Sequence, residues 1–276
     1  MKIGIKVLGC PKNEADCEIL AGLLRKSGHE IVKNVENADV VILDTCAFIE
    51  DAKRESISEI FEFVDYKLSI RRDLKLVVKG CLVQRYGKIL KEEIPEVDGW
   101  FGVITPEKLV KALERGEKFI VPVTPEVVYE FSHRCPLNDK PYSYIKISDG
   151  CDRNCTFCSI PSFKGKLRSR RMEDILKEAE YIIKMGKKEI ILVAQDTTGY
   201  GIDIYGKQTL PELLKKLNNL EGDFWIRVMY LHPDFLTQDI IKTICSLEKV
   251  VKYFDIPIQH ASDEILTKMG RLKRSK

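Results

Sequence analysis

The sequence predicts an α/β protein of two parts: an open parallel sheet of flavodoxin-like type, then a TIM-like (β/α) barrel. Three observations predict it. β-Branched runs alternate with helical stretches as far as Gly116, the pattern of a parallel sheet covered by helices. From Gly116 to Pro141 the alternation stops, and Pro122, Pro125, Pro136 and Pro141 punctuate a stretch with no helical period. A second alternating series then follows as a succession of βα units.

In order, β-branched residues predict a strand over 2–8, and an apolar stripe closing before Gly28 predicts a helix over 14–26. Apolar runs at 40–43 and 74–78 read as buried strands, with a helix over about 49–64 between them. A helix over 83–93, a strand over 100–104 and a helix opening at Pro106 complete a first domain, 1–120. Residues 121–141 read as a linker. The second domain, 142–276, opens with a strand over 142–147. Helices over 172–185, 210–220 and 237–247 then alternate with strands over 189–193, 224–230 and 250–258. About four barrel strands are present, so the barrel is expected to be incomplete at its C-terminus.

Composition narrows the function classes. Of 276 residues, 44% are hydrophobic and 32% charged, a soluble globular profile. No apolar run approaches the roughly 20 residues that span a bilayer, and the first residues lack a signal-peptide pattern. A cytoplasmic location without membrane contact is expected, and there nine cysteines favour metal binding or catalysis over disulfides. A net charge of +3 argues against a strong nonspecific nucleic-acid binder. The basic runs at 164–171 and 271–276 read as solvated faces or loops more than as phosphate clamps.

The strongest chemical signal is Cys151-Asp-Arg-Asn-Cys155-Thr-Phe-Cys158. Three thiolates on one loop suit a cubane iron–sulfur cluster and leave one iron open to a small molecule. Zinc is the rival, but no second CxxC follows Cys158. Cys10, Cys46 and Cys81 each follow directly on a predicted strand. Ligands bind at the carboxyl ends of the strands in an open parallel sheet, so these three are expected to converge as a second cluster site. Cys17 and Cys245 fall on apolar helical stripes and read as core, and Cys135 has no assignable role. The four histidines lack ligand spacing; His260, after the last predicted strand, is the most interesting of them.

The triplet with Phe157 before its last cysteine resembles the radical S-adenosylmethionine superfamily, and the second set of cysteines narrows the likeness to the methylthiotransferases. Leu8-Gly9-Cys10-Pro11-Lys12-Asn13 and the run from Cys151 to Ser159-Ile160-Pro161 look like the branch that modifies small-subunit ribosomal protein twelve. The resemblance implies two 4Fe-4S clusters, on Cys151, Cys155 and Cys158 and on Cys10, Cys46 and Cys81, both facing one cavity. It also implies S-adenosylmethionine, one molecule methylating sulfur on the auxiliary cluster and a second yielding a deoxyadenosyl radical. That radical abstracts hydrogen from the β-carbon of an aspartate, which then takes the methylthio group. A reductant, a sulfur donor and the ribosomal protein are the implied partners. Strand ends offer Gln195, Asp196, Arg227 and Gln259 as contacts for S-adenosylmethionine, with Phe157 packing on adenine. The alternatives are a tRNA adenosine methylthiotransferase, with a nucleic-acid contact, and a noncatalytic iron–sulfur or zinc module. Relatives continue through two further barrel strands and a small β-barrel domain, so this segment alone is expected to fold poorly or be inactive.

Overall fold

The run Val40–Thr45 is buried at every position, which requires a strand on each side and cover on both faces. A computed structural model describing residues 1–125, 129–131 and 133–271 supplies both. It divides into two units, Met1–Asp139 and Lys140–Lys276.

In the first unit the elements run β1 (Lys2–Val7), α1 (Pro11–Lys26), β2 (Glu30–Val32), β3 (Val40–Thr45) and α2 (Glu50–Ser69). β4 (Lys75–Gly80), α3 (Cys81–Glu93), β5 (Gly99–Phe101), α4 (Pro106–Glu114) and β6 (Phe119–Ile120) follow. The strands form one parallel sheet in the order β2-β1-β3-β4-β5-β6, the flavodoxin-like order with one strand added. Ile3, Val40, Ile42, Val77 and Phe101 pack with Leu20 and Leu24 of α1 and Leu109 and Val110 of α4 to form the core on one face. The part of the proline-punctuated segment before Lys140 packs on α1. Cys135 N–H donates to the Glu18 carbonyl at 2.9 Å, and the buried Arg134 guanidinium pairs with the Glu18 carboxylate at 2.7 Å. Gly22 allows this approach, since a Cβ there would lie 2.7 Å from Arg134 N.

The second unit opens with β7 (Tyr142–Lys146), β8 (Ser148–Asp149), α5 (Ile160–Lys164), β9 (Arg168–Ser169) and α6 (Met172–Lys184). β10 (Glu189–Val193), α7 (Ile202–Tyr205), α8 (Leu210–Asn218), β11 (Trp225–Val228), α9 (Gln238–Ser246) and α10 (Asp263–Lys268) complete it. β7, β10 and β11 are parallel neighbours in the order β11-β10-β7. Ile145, Ile190, Leu192, Ile226 and Val228 point outward beneath Ile175, Ile182, Leu213, Leu217, Ile240 and Ile244 of the covering helices.

Three expectations need correction. The predicted strand over 250–258 is reduced to one parallel bridge, Ile226 to Val250. Pro257 has no N–H to donate. The Ile258 and His260 N–H groups instead close on the Ile256 and Ile258 carbonyls in i→i+2 turns, with Gln259 at φ +66°. Cys245 is exposed, because the buried stripe of α9 runs through Ile240, Thr243 and Ile244. The basic run at 164–171 is not a solvated face throughout. Lys164 and Arg170 are buried, and Arg170 bonds Asp174, Glu178 and the Lys146 carbonyl. The run at 271–276 lies outside the described residues beyond Arg271.

Candidate metal centre

The loop carrying Cys151, Cys155 and Cys158 leaves β8 through Gly150. Its φ of +74° favours glycine, and a Cβ there would lie 2.0 Å from the Lys166 carbonyl oxygen. The short antiparallel pair β8–β9 closes the base of the loop, Cys151 N–H donating to the Gly165 carbonyl at 3.0 Å and Leu167 N–H to Asp152 Oδ1 at 3.1 Å. The turn after α10 braces its far side. Thr156 N–H donates to the Met269 carbonyl at 3.1 Å and its hydroxyl to the Lys268 carbonyl at 2.9 Å. At Gly270, φ +69°, an added Cβ would lie 2.4 Å from the Asn154 carbonyl oxygen.

Beneath the loop lies a buried charge cluster. Asp149 Oδ2 accepts from Lys146 Nζ at 3.3 Å and Lys164 Nζ at 3.2 Å, and Oδ1 accepts from Gln195 Nε2 at 2.6 Å and Gly150 N–H at 3.0 Å. Burial alone would push this carboxyl up. The two ammonium groups and the Gly150 N–H outweigh it and hold Asp149 well below the usual carboxylate range. The network fixes the strand end from which the cysteines depart.

The three thiols are each partly buried. Burial pushes Cys151 up to about 11 against the N–H of Arg153 that it accepts, and Asp196 and Cys158 add to the rise. Burial likewise raises Cys158, with Cys155 adding to it. These effects place Cys158 within electrostatic reach of both Cys151 and Cys155, and a cationic centre among the thiols would reverse each penalty. Among the described residues no three His, Cys, Asp or Glu side chains converge as ligands of a single metal ion; a cluster of several irons is larger than one ion and takes its thiolates further apart.

The other predicted contacts divide. Asp196 comes to the loop: with Gly150, Cys151, Arg153, Leu167 and Gly199 it lines a cavity of about 90 Å³. Its Oδ2 accepts from Arg153 Nε at 2.7 Å, and Oδ1 caps the turn at Thr198. Arg153 in turn lies 3.2 Å from the Phe235 ring centroid. Gln195 reaches Asp149 and keeps a buried Oε1 with no hydrogen-bond partner. Phe157 is half exposed, its ring 5.8 Å from the Arg271 guanidinium. Arg227 is not brought to the loop. It stands opposite Ile191 in β10, pairs with Glu189 Oε1 at 2.5 Å near the strand start and faces Tyr253, on a separate cavity. Gln259 is exposed in the turn described above.

Two groups escaped the sequence reading. His232 is buried after β11, its Nδ1 accepting the Asp234 N–H at 3.3 Å while Nε2 has no hydrogen-bond partner. Burial holds its pKa at about 4, helped by the Arg271 charge. Arg271 is buried too, with Nε and Nη1 lacking partners. Its charge also lowers Cys158. The signal for both was weak, since neither sits in a metal-ligand pattern. Gln195, His232 and Arg271 are thus among the buried side chains of this unit with a polar atom that lacks a partner among the described residues.

In the first unit, β1, β3 and β4 are adjacent, and Cys10, Cys46 and Cys81 follow them in turn. Cys10 caps α1 and Cys81 opens α3, where helix N-termini favour anionic ligands. Burial raises Cys46, opposed by the Phe48 N–H, and Cys10 adds to the rise, so these two are within electrostatic reach. Behind them Lys79 Nζ and Cys17 Sγ both donate to Asp44, at 2.9 and 3.2 Å. Cys17 is therefore buried, as its stripe implied, and also bonded.

Known proteins resemble both units. The family model described as uncharacterized protein family UPF0004 matches residues 2–102, and the Radical SAM superfamily model matches 145–276. Proteins named ribosomal protein uS12 methylthiotransferase RimO are 67% identical over 275 residues in Thermotoga sp. (strain RQ2) and in Thermotoga maritima, and 59% identical in Thermosipho africanus. Along its whole length the chain is similar to radical SAM methylthiotransferases. Each of these matches covers 100% of this chain but 63% of the relative, so the chain spans less than two thirds of their length. Two structures of the radical S-adenosylmethionine methyltransferase TsrM from Kitasatospora setae share its fold. One was solved with cobalamin and a [4Fe-4S] cluster, the other with tryptophan and a S-adenosylmethionine analogue. They are 14% and 13% identical, with TM-scores of 0.64 and 0.67, over 98% of this chain and 61% of theirs. No helix among the described residues is long and apolar enough to cross a membrane.

Proposed function

We propose that this chain is the cluster-bearing part of a radical methylthiotransferase that places a methylthio group on the β-carbon of an aspartate in ribosomal protein uS12. The whole-chain identity to proteins of that name carries the reading. Cys151, Cys155 and Cys158 would hold one 4Fe-4S cluster and Cys10, Cys46 and Cys81 a second. When bound, the first cluster supplies the electron that splits the S-adenosylmethionine sulfonium, giving a radical able to take hydrogen from an unactivated carbon. A side-chain base could not do this, since general base catalysis contributes only about 10²–10⁴-fold.

The chain's own residues position and shield. Gly150, the β8–β9 pair and the turn after α10 hold the cysteine loop from both sides. Asp196 fixes Arg153 against Phe235, which orders the wall of the cavity beside Cys151. Phe157 offers a ring for adenine, and Gln195 Oε1 a free acceptor for an ammonium or hydroxyl group. A reductant and a sulfur donor are required partners.

Anaerobic iron and sulfide analysis of the full-length protein tests the reading. About eight irons per chain are expected for two cubanes, falling by about half in Cys151→Ala or Cys46→Ala. Reductive cleavage of S-adenosylmethionine should vanish in Cys151→Ala. Mass spectrometry of uS12 from a strain lacking the gene should lose one methylthio group, with tRNA unchanged. Zinc in place of iron, or loss from tRNA instead, would overturn it.

A further inference from the structure

Among the described residues of the second unit, His232 and Arg271 carry buried donors without partners, and neither has a role in the chemistry above. The Nδ1 of His232 is an acceptor, bonded to the Asp234 N–H at 3.3 Å. A neutral imidazole that accepts at Nδ1 carries its proton on Nε2, so the buried, unpartnered Nε2 is an orphan donor. Arg271 is 9% exposed, and its Nε and Nη1 donors are orphaned as well. His232 packs edge-on against Phe235 with ring centroids 5.2 Å apart, Phe235 carries the Arg153 guanidinium of the cysteine loop at 3.2 Å, and Arg271 lies 5.8 Å from the Phe157 ring of the same loop. They therefore belong beside the cysteine loop.

The nearby carboxylates do not satisfy these donors. Asp196 is taken by Arg153 and the Thr198 cap, and Asp234 lies 3.9 Å from Nδ1, the other nitrogen of the His232 ring. Burying a guanidinium with two donors unmet costs far more than a neutral group in the same place. A planar, bidentate anion repays that cost, and Arg is the side chain that matches a carboxylate in that geometry. Tyr230, just before this segment, is held at φ +62°, a strained state for a bulky residue that functional sites retain.

We infer that His232 and Arg271 form a carboxylate-binding pair at the mouth of the cysteine loop. The inference rests on the proposed function for the origin of the carboxylate. It is either the amino-acid end of S-adenosylmethionine or the side chain of the target aspartate, and both present the same group.

Calorimetry on the cluster-loaded full-length protein separates the two sources with ligand pairs that differ by one carboxylate. S-Adenosylmethionine is compared with its decarboxylated form, and an aspartate peptide with its asparagine twin. Arg271→Gln should raise the Kd of one carboxylate ligand at least tenfold and that of its twin less than twofold; the pair that responds names the source. Arg271→Lys, which keeps the cation, should recover part of the loss, and His232→Phe should weaken the same ligand. No loss for either pair, or equal losses within both, overturns the inference. A parent protein that never cleaves S-adenosylmethionine would sink the radical reading, and a separate readout then judges the pair. In metal-free protein the His232 Nε2–H resonance should move with sodium acetate and not with acetamide. A resonance that acetate leaves in place overturns the pair on its own.

Discussion

At the scale of single residues, the chain places glycine and charge where the cysteines need them. Gly80 takes φ +107° immediately before Cys81, and a Cβ there would lie 2.6 Å from Asp44 Oδ1 and 2.7 Å from the Thr45 carbonyl oxygen. Gly80→Ala should therefore destabilise the first unit by about 1–3 kcal/mol, read as a lower denaturation midpoint, and disturb the Asp44–Lys79 pair. His232 gives a pH signature. Its folded pKa of about 4 lies below the ordinary histidine value near 6.5, so the unfolded chain binds the extra proton between them. Stability is then full above the unfolded value and falls as pH drops towards 4, by about 1–3 kcal/mol. Chemical denaturation across that window should show the slope, and His232→Gln should flatten it. The spacing of the cysteines and their places after strands were legible because both are local. The orphan donors were not, since burial without a partner is a tertiary fact. Arg227 misled for the same reason: its strand was read well, but the register that gives it to Glu189 is absent from local sequence.

Secondary-structure elements were legible where pattern and length agree. Val40–Thr45, Glu189–Val193 and the long amphipathic helices came out within a few residues, because continuous apolar runs and 3.6-residue periodicity leave little choice. The two- and three-residue strands β2, β6, β8 and β9 carry too few residues for a period. Helix α10 was missed, yet its C-terminal turn is what braces the cysteine loop. Gly270→Ala should force that turn off Asn154, costing about 1–3 kcal/mol locally. Hydrogen exchange at Asn154 and Thr156 should quicken while the α8 amides stay protected, and iron retention should fall. Unchanged exchange at Thr156 would mean the brace is not needed.

Across the whole molecule, two separate cores serve two cysteine sets. The first unit has its own six-stranded sheet and apolar cluster, so residues 1–139 alone should unfold in one cooperative transition by circular dichroism; a gradual melt would show that the unit is not self-sufficient. The chain divides between Asp139 and Lys140, and residues such as Arg134 and Cys135 are held on α1 instead of running free. Time of synthesis gives the brace a further meaning. Thr156 and Lys268 are 112 residues apart. At about 5–20 residues per second, the cysteine loop leaves the peptidyl-transferase centre on the order of ten seconds before the turn that will clamp it exists. Through that interval the loop lacks its brace, and only the arrival of Lys268 and Met269 supplies the carbonyls to which Thr156 donates.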